Sequence, residues 1–431
     1  MNLREMAQSS RKAFYDLSAS SLSQRNQALV LLADQLEKDK ETIFAANQED
    51  LKEAEASGLP APLLSRLRFG SEKLAQIKDG LHALSSLADP IGETVFCHEI
   101  TEGLKLYRVT CPIGVIGIIF ESRPDALIQI SSLTIKSGNA ALLKGGREAL
   151  RTNQALIRSV RQALAEANLP SNAAQLMETR EDVNAMLKED TLIDLIIPRG
   201  SNSFVRYIMD NSNIPVLGHA DGICHVYVDV NANLDIAWKV ALDSKVQNLS
   251  VCNAEETLLV HEAIAPVFLP RFAELLKAHH VEIRGDQPTQ RLIPCLPATN
   301  EDWKTEYLDA ILSIRIVQSL EEAVDHINHY GSHHTDCIVT EDKSAASFFL
   351  SRVDSAGVYL NVSTRFADGF VYGLGAEVGI STGKIHSRGP MGLDGLTTYK
   401  YKLLGNGQIM AEMKSGERRY THLVLDEKCP L

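Results

Sequence analysis

The sequence predicts an α/β fold with two β/α regions and a small separate β element, on three observations. Between Pro112 and Leu217, short apolar runs alternate with amphipathic stretches, and a second alternation begins near His225. Strands separated by helices of that length call for parallel sheets with crossover connections. Around residues 92–110 the texture is different, with two alternating runs split by a Glu-Gly turn.

The first ninety residues read as helical. In Ser23–Leu36 the apolar positions Ala28, Leu31, Leu32 and Leu36 share one helix face, and a second amphipathic stretch runs from Leu74 to Leu87. The runs from Gly92 and from Leu104, joined at Thr101-Glu-Gly, read as a β-hairpin. An isolated hairpin is unstable in water, so it needs a further strand, and Leu396-Thr-Thr-Tyr-Lys-Tyr-Lys-Leu of this or a neighbouring subunit is the candidate.

Val115–Phe120 is a buried-strand run followed by a helical pattern from Ala126 to Ile135. Ala140-Ala-Leu-Leu-Lys-Gly-Gly supplies a strand and turn, then a helix from about Glu148 to Ala165. Gln175-Leu-Met-Glu and Leu192–Pro198 continue the series. Parallel sheets bind ligands beyond the carboxyl ends of their strands, which places Arg123, Lys144 and Gly200-Ser201 on one rim. A Gly-x-Gly-x-x-Gly fingerprint is absent. The second region offers strands near His225, Glu256, Ile314, Asp336 and Gly357, with helices over Ile264–His279 and Ser319–Ile327. No internal repeat or low-complexity segment interrupts it.

Composition narrows the function. The 431 residues suffice for two or three domains, and 45% hydrophobic with 23% charged residues is ordinary for a globular enzyme. A net charge of −12 argues against nucleic acid as a partner. No apolar run is long enough to span a membrane, and Met1-Asn-Leu-Arg-Glu is not expected to begin a signal peptide. Seven cysteines at scattered spacing fit a reducing cytoplasm rather than a disulfide framework. None has zinc-site spacing, and His333-His334 near Cys337 reads as a solvated loop pair, so no metal is expected.

Cys252 lies in Lys245-Val-Gln-Asn-Leu-Ser-Val-Cys-Asn-Ala, well downstream of the first strand. A cysteine with Asn248 four residues before it, in a chain with nucleotide-binding βα signals, points to a thiol that attacks a carbonyl beside a nicotinamide. The other reading is one more small core hydrophobe.

Longer segments carry a resemblance. Gly117-Ile-Ile-Phe-Glu-Ser-Arg-Pro-Asp, Leu143-Lys-Gly-Gly-Arg-Glu-Ala, Gly218-His-Ala-Asp-Gly and Val251-Cys-Asn-Ala-Glu-Glu stand in order. They are followed by Tyr359-Leu-Asn-Val-Ser-Thr-Arg-Phe-Ala-Asp-Gly, Gly373-Leu-Gly-Ala-Glu-Val-Gly-Ile-Ser-Thr and Ser387-Arg-Gly-Pro-Met-Gly-Leu. Across roughly residues 1 to 405 the chain resembles the γ-glutamyl phosphate reductases, or glutamate-5-semialdehyde dehydrogenases, of the aldehyde dehydrogenase superfamily. The resemblance implies an aldehyde dehydrogenase-like fold. Its parts would be a Rossmann-like cofactor domain (1–91 and 111–228), a catalytic domain (229–395), a β oligomerisation element (92–110 and 396–411) and a tail (412–431) of no assigned role. It implies NADPH-dependent reduction of L-glutamyl 5-phosphate, downstream of glutamate 5-kinase in proline synthesis, by a homodimer or a multiple of dimers.

By the same resemblance Cys252 is the nucleophile, forming a thioester that hydride can reduce. Asn248 supports the loop, and the Cys252 backbone N–H is an oxyanion donor. Arg123 stands where the superfamily usually has a side-chain amide. It would bind substrate carboxylate or phosphate, or else face solvent at a helix start. The segment Leu217–Gly222 lacks the glutamate base of hydrolytic members, so the thioester should await hydride or phosphate. His219 and Asp221 are polar substrate candidates, with a structural hydrogen-bonded role the other reading of His219. Ser363, Thr364 and Arg365 are candidates for the substrate's charged end. For NADPH the resemblance points to Lys144 on the adenosine ribose, Arg147 on a 2′-phosphate, Gly200-Ser201 under the pyrophosphate and Glu306 on the nicotinamide ribose, unless Glu306 is merely an exposed helix-start residue. The alternatives are another phosphate-dependent acylating semialdehyde dehydrogenase, a hydrolytic aldehyde dehydrogenase and a non-catalytic member.

Overall fold

The structure is a computed structural model describing all residues except Met1, Ser122, Ala220, Gly375 and Ala376, and the side chains of Pro62 and Arg180. Ser122, Ala220, Gly375 and Ala376 belong to segments quoted above and lie outside the described residues. Among the described residues no helix is long and apolar enough to cross a membrane.

Five helices occupy the first ninety residues, Leu3–Ser18, Leu22–Lys38, Lys40–Ala56, Ala61–Leu67 and Ser71–Ser86. Asn2 and Ser21 start the first two through capping boxes with Glu5 and Gln24, which satisfy backbone N–H groups that a helix start leaves unpaired. A four-stranded parallel sheet follows, in spatial order Ala174–Met177, Ala140–Lys144, Val115–Ile119, Leu195–Pro198. Ile116, Ile118, Ala141 and Leu143 face a core shared with Leu22–Lys38, Ser71–Ser86, Pro124–Lys136 and Leu150–Glu166. Val115, Ile119, Ala140 and Leu142 face the other way, toward Leu3–Ser18 and Asn202–Asn211. A sheet covered on both faces explains why its strands read as continuous apolar runs.

The second sheet is parallel and seven-stranded, in spatial order Leu296–Pro297, Glu282–Gly285, Ile311–Val317, Glu255–His261, Cys224–Val228, Thr335–Val339, Gly357–Leu360. Helices Leu234–Val246 and Ala265–Ala278 cover one face, and Leu320–Tyr330 and Lys343–Arg352 the other.

Two of the expected boundaries shift. Cys224–Val228, expected to belong with residues 111–228, pairs with Glu255–His261 and Thr335–Val339 inside the second sheet. Residues near 378–396, expected in the catalytic unit, return to the first core through Val378, Met391, Leu393 and Leu396. Apolar strand residues alone do not say which of two parallel sheets a strand joins.

The third sheet is antiparallel, in order Thr397–Leu404, Leu104–Pro112, Thr94–Thr101, Leu423–Leu425. The hairpin's expected partner strand comes from the same chain, with Thr397 opposite Pro112 and Leu404 opposite Lys105. The 412–431 segment, left without a role by its sequence, provides the fourth strand, with Cys97 opposite Leu425. Its three residues are too short and too charged in their surroundings to announce a strand.

Candidate functional site

The two parallel sheets present opposite ends to the site. From the first come residues just past its carboxyl ends: Lys144 closes its strand, Glu121 and Arg123 follow Ile119, and Arg199 and Gly200 follow Pro198. From the second come residues just before its amino ends. Gly222 precedes Cys224, Cys252 precedes Glu255, Glu306 precedes Ile311 and His334 precedes Thr335.

Cys252 is half-buried in a turn. A Cβ placed on Gly222 would stand 2.2 Å from the Cys252 carbonyl oxygen and 2.5 Å from its Cα, so only glycine lets these two segments touch. Burial pushes the Cys252 thiol up to about 12, and Glu306 and Glu377 add to the rise while Arg199 opposes it. Arg199 also contacts Glu377, its guanidinium 3.8 Å from one carboxylate oxygen, and the other Glu377 oxygen accepts the Gly369 N–H at 3.0 Å.

The expected substrate residues separate into two sets. Arg123 is exposed at the start of Pro124–Lys136, and its charge acts on both Arg199 and Glu377. Arg365 is half-buried, with Nε donating to Gln247 Oε1 at 2.9 Å, and burial depresses it while Cys252 opposes that shift. His219 and Asp221 flank the site. His219 Nδ1 lies 3.0 Å from the Ile380 carbonyl oxygen, and burial lowers its imidazole below the ordinary value. Asp221 accepts from Asn202 at 3.1 Å.

Ser363 and Thr364 have inward duties instead. Both are buried, the Ser363 hydroxyl meets Ser244 at 3.2 Å, and Thr364 donates to the Asn253 carbonyl at 2.7 Å. They tie the Arg365 loop to the Cys252 turn. Asn248 is exposed, and its side chain accepts from the Ser250 N–H at 3.1 Å, which makes it a turn residue on the approach to Cys252.

Of the expected cofactor residues, Lys144, Arg147, Gly200 and Ser201 line the first sheet's rim, and Glu306 comes from the second sheet. Lys144 is buried and donates to the Gly145 carbonyl at 2.6 Å, while Arg147 is exposed at the start of the 3-10 turn Arg147–Ala149. Ser201 caps Asn202–Asn211, and the Ser201 N–H donates to the Glu121 carboxyl. A Cβ on Gly200 would lie 3.0 Å from that carboxyl carbon. This helix start therefore already holds a carboxyl oxygen, and burial with the nearby Glu148 raises that carboxyl against the Ser201 bond. Glu306 is a half-buried loop residue rather than a helix start, and it accepts from Asn202 at 2.5 Å. Burial raises its carboxyl, against the Asn202 bond and the Gly222 N–H.

Several site residues escaped sequence reading. Arg199 and Asn202 flank the recognised Gly200-Ser201 pair, and their adjacency was the available signal. Lys245 and Glu256 form a wholly buried ion pair at 2.7 Å, and Glu256 also accepts the Leu308 N–H at 3.1 Å, fixing the loop that bears Glu306. His334 corrects the expectation of a solvated histidine pair, being 1% exposed. His219, Cys252 and His334 each offer one metal-ligand atom, and these atoms lie within 4.8 Å of one another, a grouping that spacing along the chain could not reveal.

The aldehyde dehydrogenase family model matches residues 1–292. The γ-glutamyl phosphate reductase of Acetivibrio thermocellus is 54% identical over 431 residues, covering 100% of both chains. That of Pelotomaculum thermopropionicum is 54% identical over 422 residues, covering 98% of this chain and 97% of its own. The crystal structure of the Thermotoga maritima γ-glutamyl phosphate reductase superposes with a TM-score of 0.93 at 40% identity, over 95% of this chain and 100% of that one. With this fold and this site, the chain belongs to the γ-glutamyl phosphate reductases of the aldehyde dehydrogenase family.

Proposed function

We propose that the protein catalyses NADPH-dependent reduction of L-glutamyl 5-phosphate to L-glutamate 5-semialdehyde and phosphate, the second step of proline synthesis from glutamate. Its substrate would come from a glutamate 5-kinase, in the cytoplasm. The observation that carries this reading is the setting of Cys252, a thiol in the field of the Arg199 and Arg365 guanidiniums. Two cations beside a nucleophile suit an acyl phosphate whose two ends are both anionic.

The Cys252 thiolate attacks the substrate's C5 carbonyl, and the C–O bond to phosphate breaks with its electron pair leaving on phosphate. The Cys252 backbone N–H stabilises the oxyanion. Arg123, Arg199 and Arg365 hold the anionic ends, with His219 and Asp221 beside them and Asn248, Ser363 and Thr364 positioning the loops. Lys144, Arg147, Gly200, Ser201 and Glu306 would hold NADPH, which when bound supplies hydride to the thioester carbonyl. Cleavage of the C–S bond then releases the aldehyde and returns the Cys252 thiolate. The resting thiol's high proton affinity means that Cys252 ionises only as the cationic side of the site is brought to bear.

The test runs in reverse, as NADP reduction by glutamate 5-semialdehyde. Turnover should require phosphate or arsenate, and Cys252→Ala should lower it by at least about a thousandfold. Sustained turnover in phosphate-free buffer, with glutamate as product, would overturn the proposal and give water activation to Glu306 or His219.

We also infer a homodimer or a multiple of it. Thr397–Leu404 is an edge strand, and Tyr399, Tyr401 and Leu403 are all more than half exposed on one of its faces. Light scattering at micromolar concentration decides this, since a monomer excludes it.

A further inference from the structure

We propose that Cys252, His219 and His334 form a site for a borderline-soft divalent cation, with zinc the natural occupant, that caps the thiol reversibly. Three observations point to it independently of the reaction assigned above. The first is proximity, since the three ligand atoms lie within 4.8 Å of one another. Thiolate and imidazole donors at about 2.0–2.3 Å from tetrahedral zinc stand roughly 3.3–3.8 Å apart, so the side chains need to close by about an ångström. Three protein ligands leave the fourth position to water.

The second observation is the state of His334. Its ring is 1% exposed and Nδ1 lies 3.0 Å from the Thr335 hydroxyl, while Nε2 is buried with no hydrogen-bond partner. A buried ring nitrogen without a partner is costly, and a ligand that accepts its lone pair removes that cost. The third is the orientation of His219. The Ile380 carbonyl 3.0 Å from Nδ1 can only accept, so Nδ1 carries the proton and Nε2 keeps its lone pair. A backbone carbonyl fixing one nitrogen so that the other can ligate is the usual support of a metal-bound histidine. The two rings meet edge to face with centroids 5.0 Å apart.

The surroundings agree. Neutral imidazole is the form that ligates, and the Glu306 and Glu377 carboxyls provide a negative field at the thiol. Binding is an exchange without redox change. The Cys252 S–H bond breaks, its proton leaves to buffer, and the sulfur electron pair forms the bond to the cation. Where Cys252 is the nucleophile, the capped enzyme is inactive until a chelator removes the ion. That consequence alone rests on the reading given under Proposed function.

The test uses the full chain, freed of metal and titrated with Co2+, whose thiolate charge-transfer band reports a sulfur ligand whether or not the enzyme turns over. We expect one band per chain, displaced by one equivalent of Zn2+, and loss of iodoacetamide labelling at Cys252. Cys252→Ser should abolish the band. His334→Gln and His219→Gln should each weaken Zn2+ binding at least about tenfold, the loss that removal of even an outer-shell partner brings. If His334→Gln fails to fold, the half-buried His219 decides alone. Absence of a stoichiometric band, its persistence in Cys252→Ser, or unchanged Zn2+ affinity in a folded histidine variant would overturn the proposal. Activity surviving in Cys252→Ala would overturn the nucleophile assignment, while the Co2+ band of the parent chain would still stand.

Discussion

The two parallel sheets meet at one site and contribute to it in opposite ways. The four-stranded sheet is apolar almost to its rim, and Lys144 and Gln175 are its buried polar strand residues among those described. The seven-stranded sheet gathers His225, Glu255, Glu256, Thr257, Ser313, Thr335 and Asp336, all buried, near its amino ends. One sheet can serve a ligand mainly through backbone N–H groups and rim side chains on an inert platform. The other builds its end of the site from desolvated polar groups, some paired, as His225 with Asp336 and Glu256 with Lys245, and some without a hydrogen-bond partner among the described residues, as Glu255. Recognition of a large anionic ligand needs only the first arrangement. Tuning a thiol needs the second, because field strength depends on the exclusion of water.

This contrast is broken most sharply at Lys245. Lys245→Met leaves the Glu256 carboxylate buried without its cation, and we expect a stability loss of about 3–5 kcal/mol by urea denaturation. Adding Glu256→Gln keeps an acceptor for the Leu308 N–H while removing the orphaned charge, so the double variant should recover most of that loss. Leu142→Ala in the apolar sheet should cost about 2–5 kcal/mol through its cavity, with no polar change able to restore it. Equal stability of the single and double Lys245 variants would erase the distinction between the sheets.

Arg147→Glu probes the first rim. A charged hydrogen bond to a 2′-phosphate is worth about 1.5–3 kcal/mol, so the preference for NADPH over NADH should fall roughly ten- to a hundredfold. The melting temperature should hold, since Arg147 is exposed. Equal use of both cofactors by the parent enzyme would remove Arg147 from the recognition of phosphate.

The smallest effect sharpens the second rim. A thiol pushed up to about 12 is protonated at neutral pH, and its thiolate fraction rises tenfold per pH unit below that value. Iodoacetamide labelling of Cys252 in the free enzyme should therefore climb from pH 7 to 10 without levelling. Arg199→Ala should slow it and Glu377→Gln should hasten it. A plateau near pH 8.5 would show an ordinary thiol.

The same contrast explains what the sequence made legible. Apolar sheet strands such as Val115–Ile119 and Ala140–Lys144 announce themselves, because burial on both faces demands an unbroken apolar run. The hairpin was equally plain from its alternation and its Glu-Gly turn. Cys252, Lys144 and Gly200-Ser201 stood out through motif order. His334, Lys245 and Glu256 did not, because their meaning lies in partners brought close by the fold. The inward hydrogen bonds of Ser363 and Thr364 were hidden for the same reason, since a hydroxyl in a motif is silent about which way it turns. The placement of residues 378–396 on the first core likewise depends on Val378, Met391, Leu393 and Leu396 joining a cluster whose other buried members all lie at or before Leu217.

The antiparallel sheet imposes an order on synthesis. Its hairpin is made early, yet both flanking strands arrive late, and Thr421 bonds to Glu99 across a separation of 322 residues. At roughly 5–20 residues per second a ribosome needs about 16–64 s to bridge that gap. Throughout that interval the nascent hairpin has two open edges, each a template for another strand. Completion of this sheet is therefore among the last folding events available to the chain. Neighbouring ribosomes on one message hold identical hairpins at high local concentration, and the late strands must then compete with other copies for those edges.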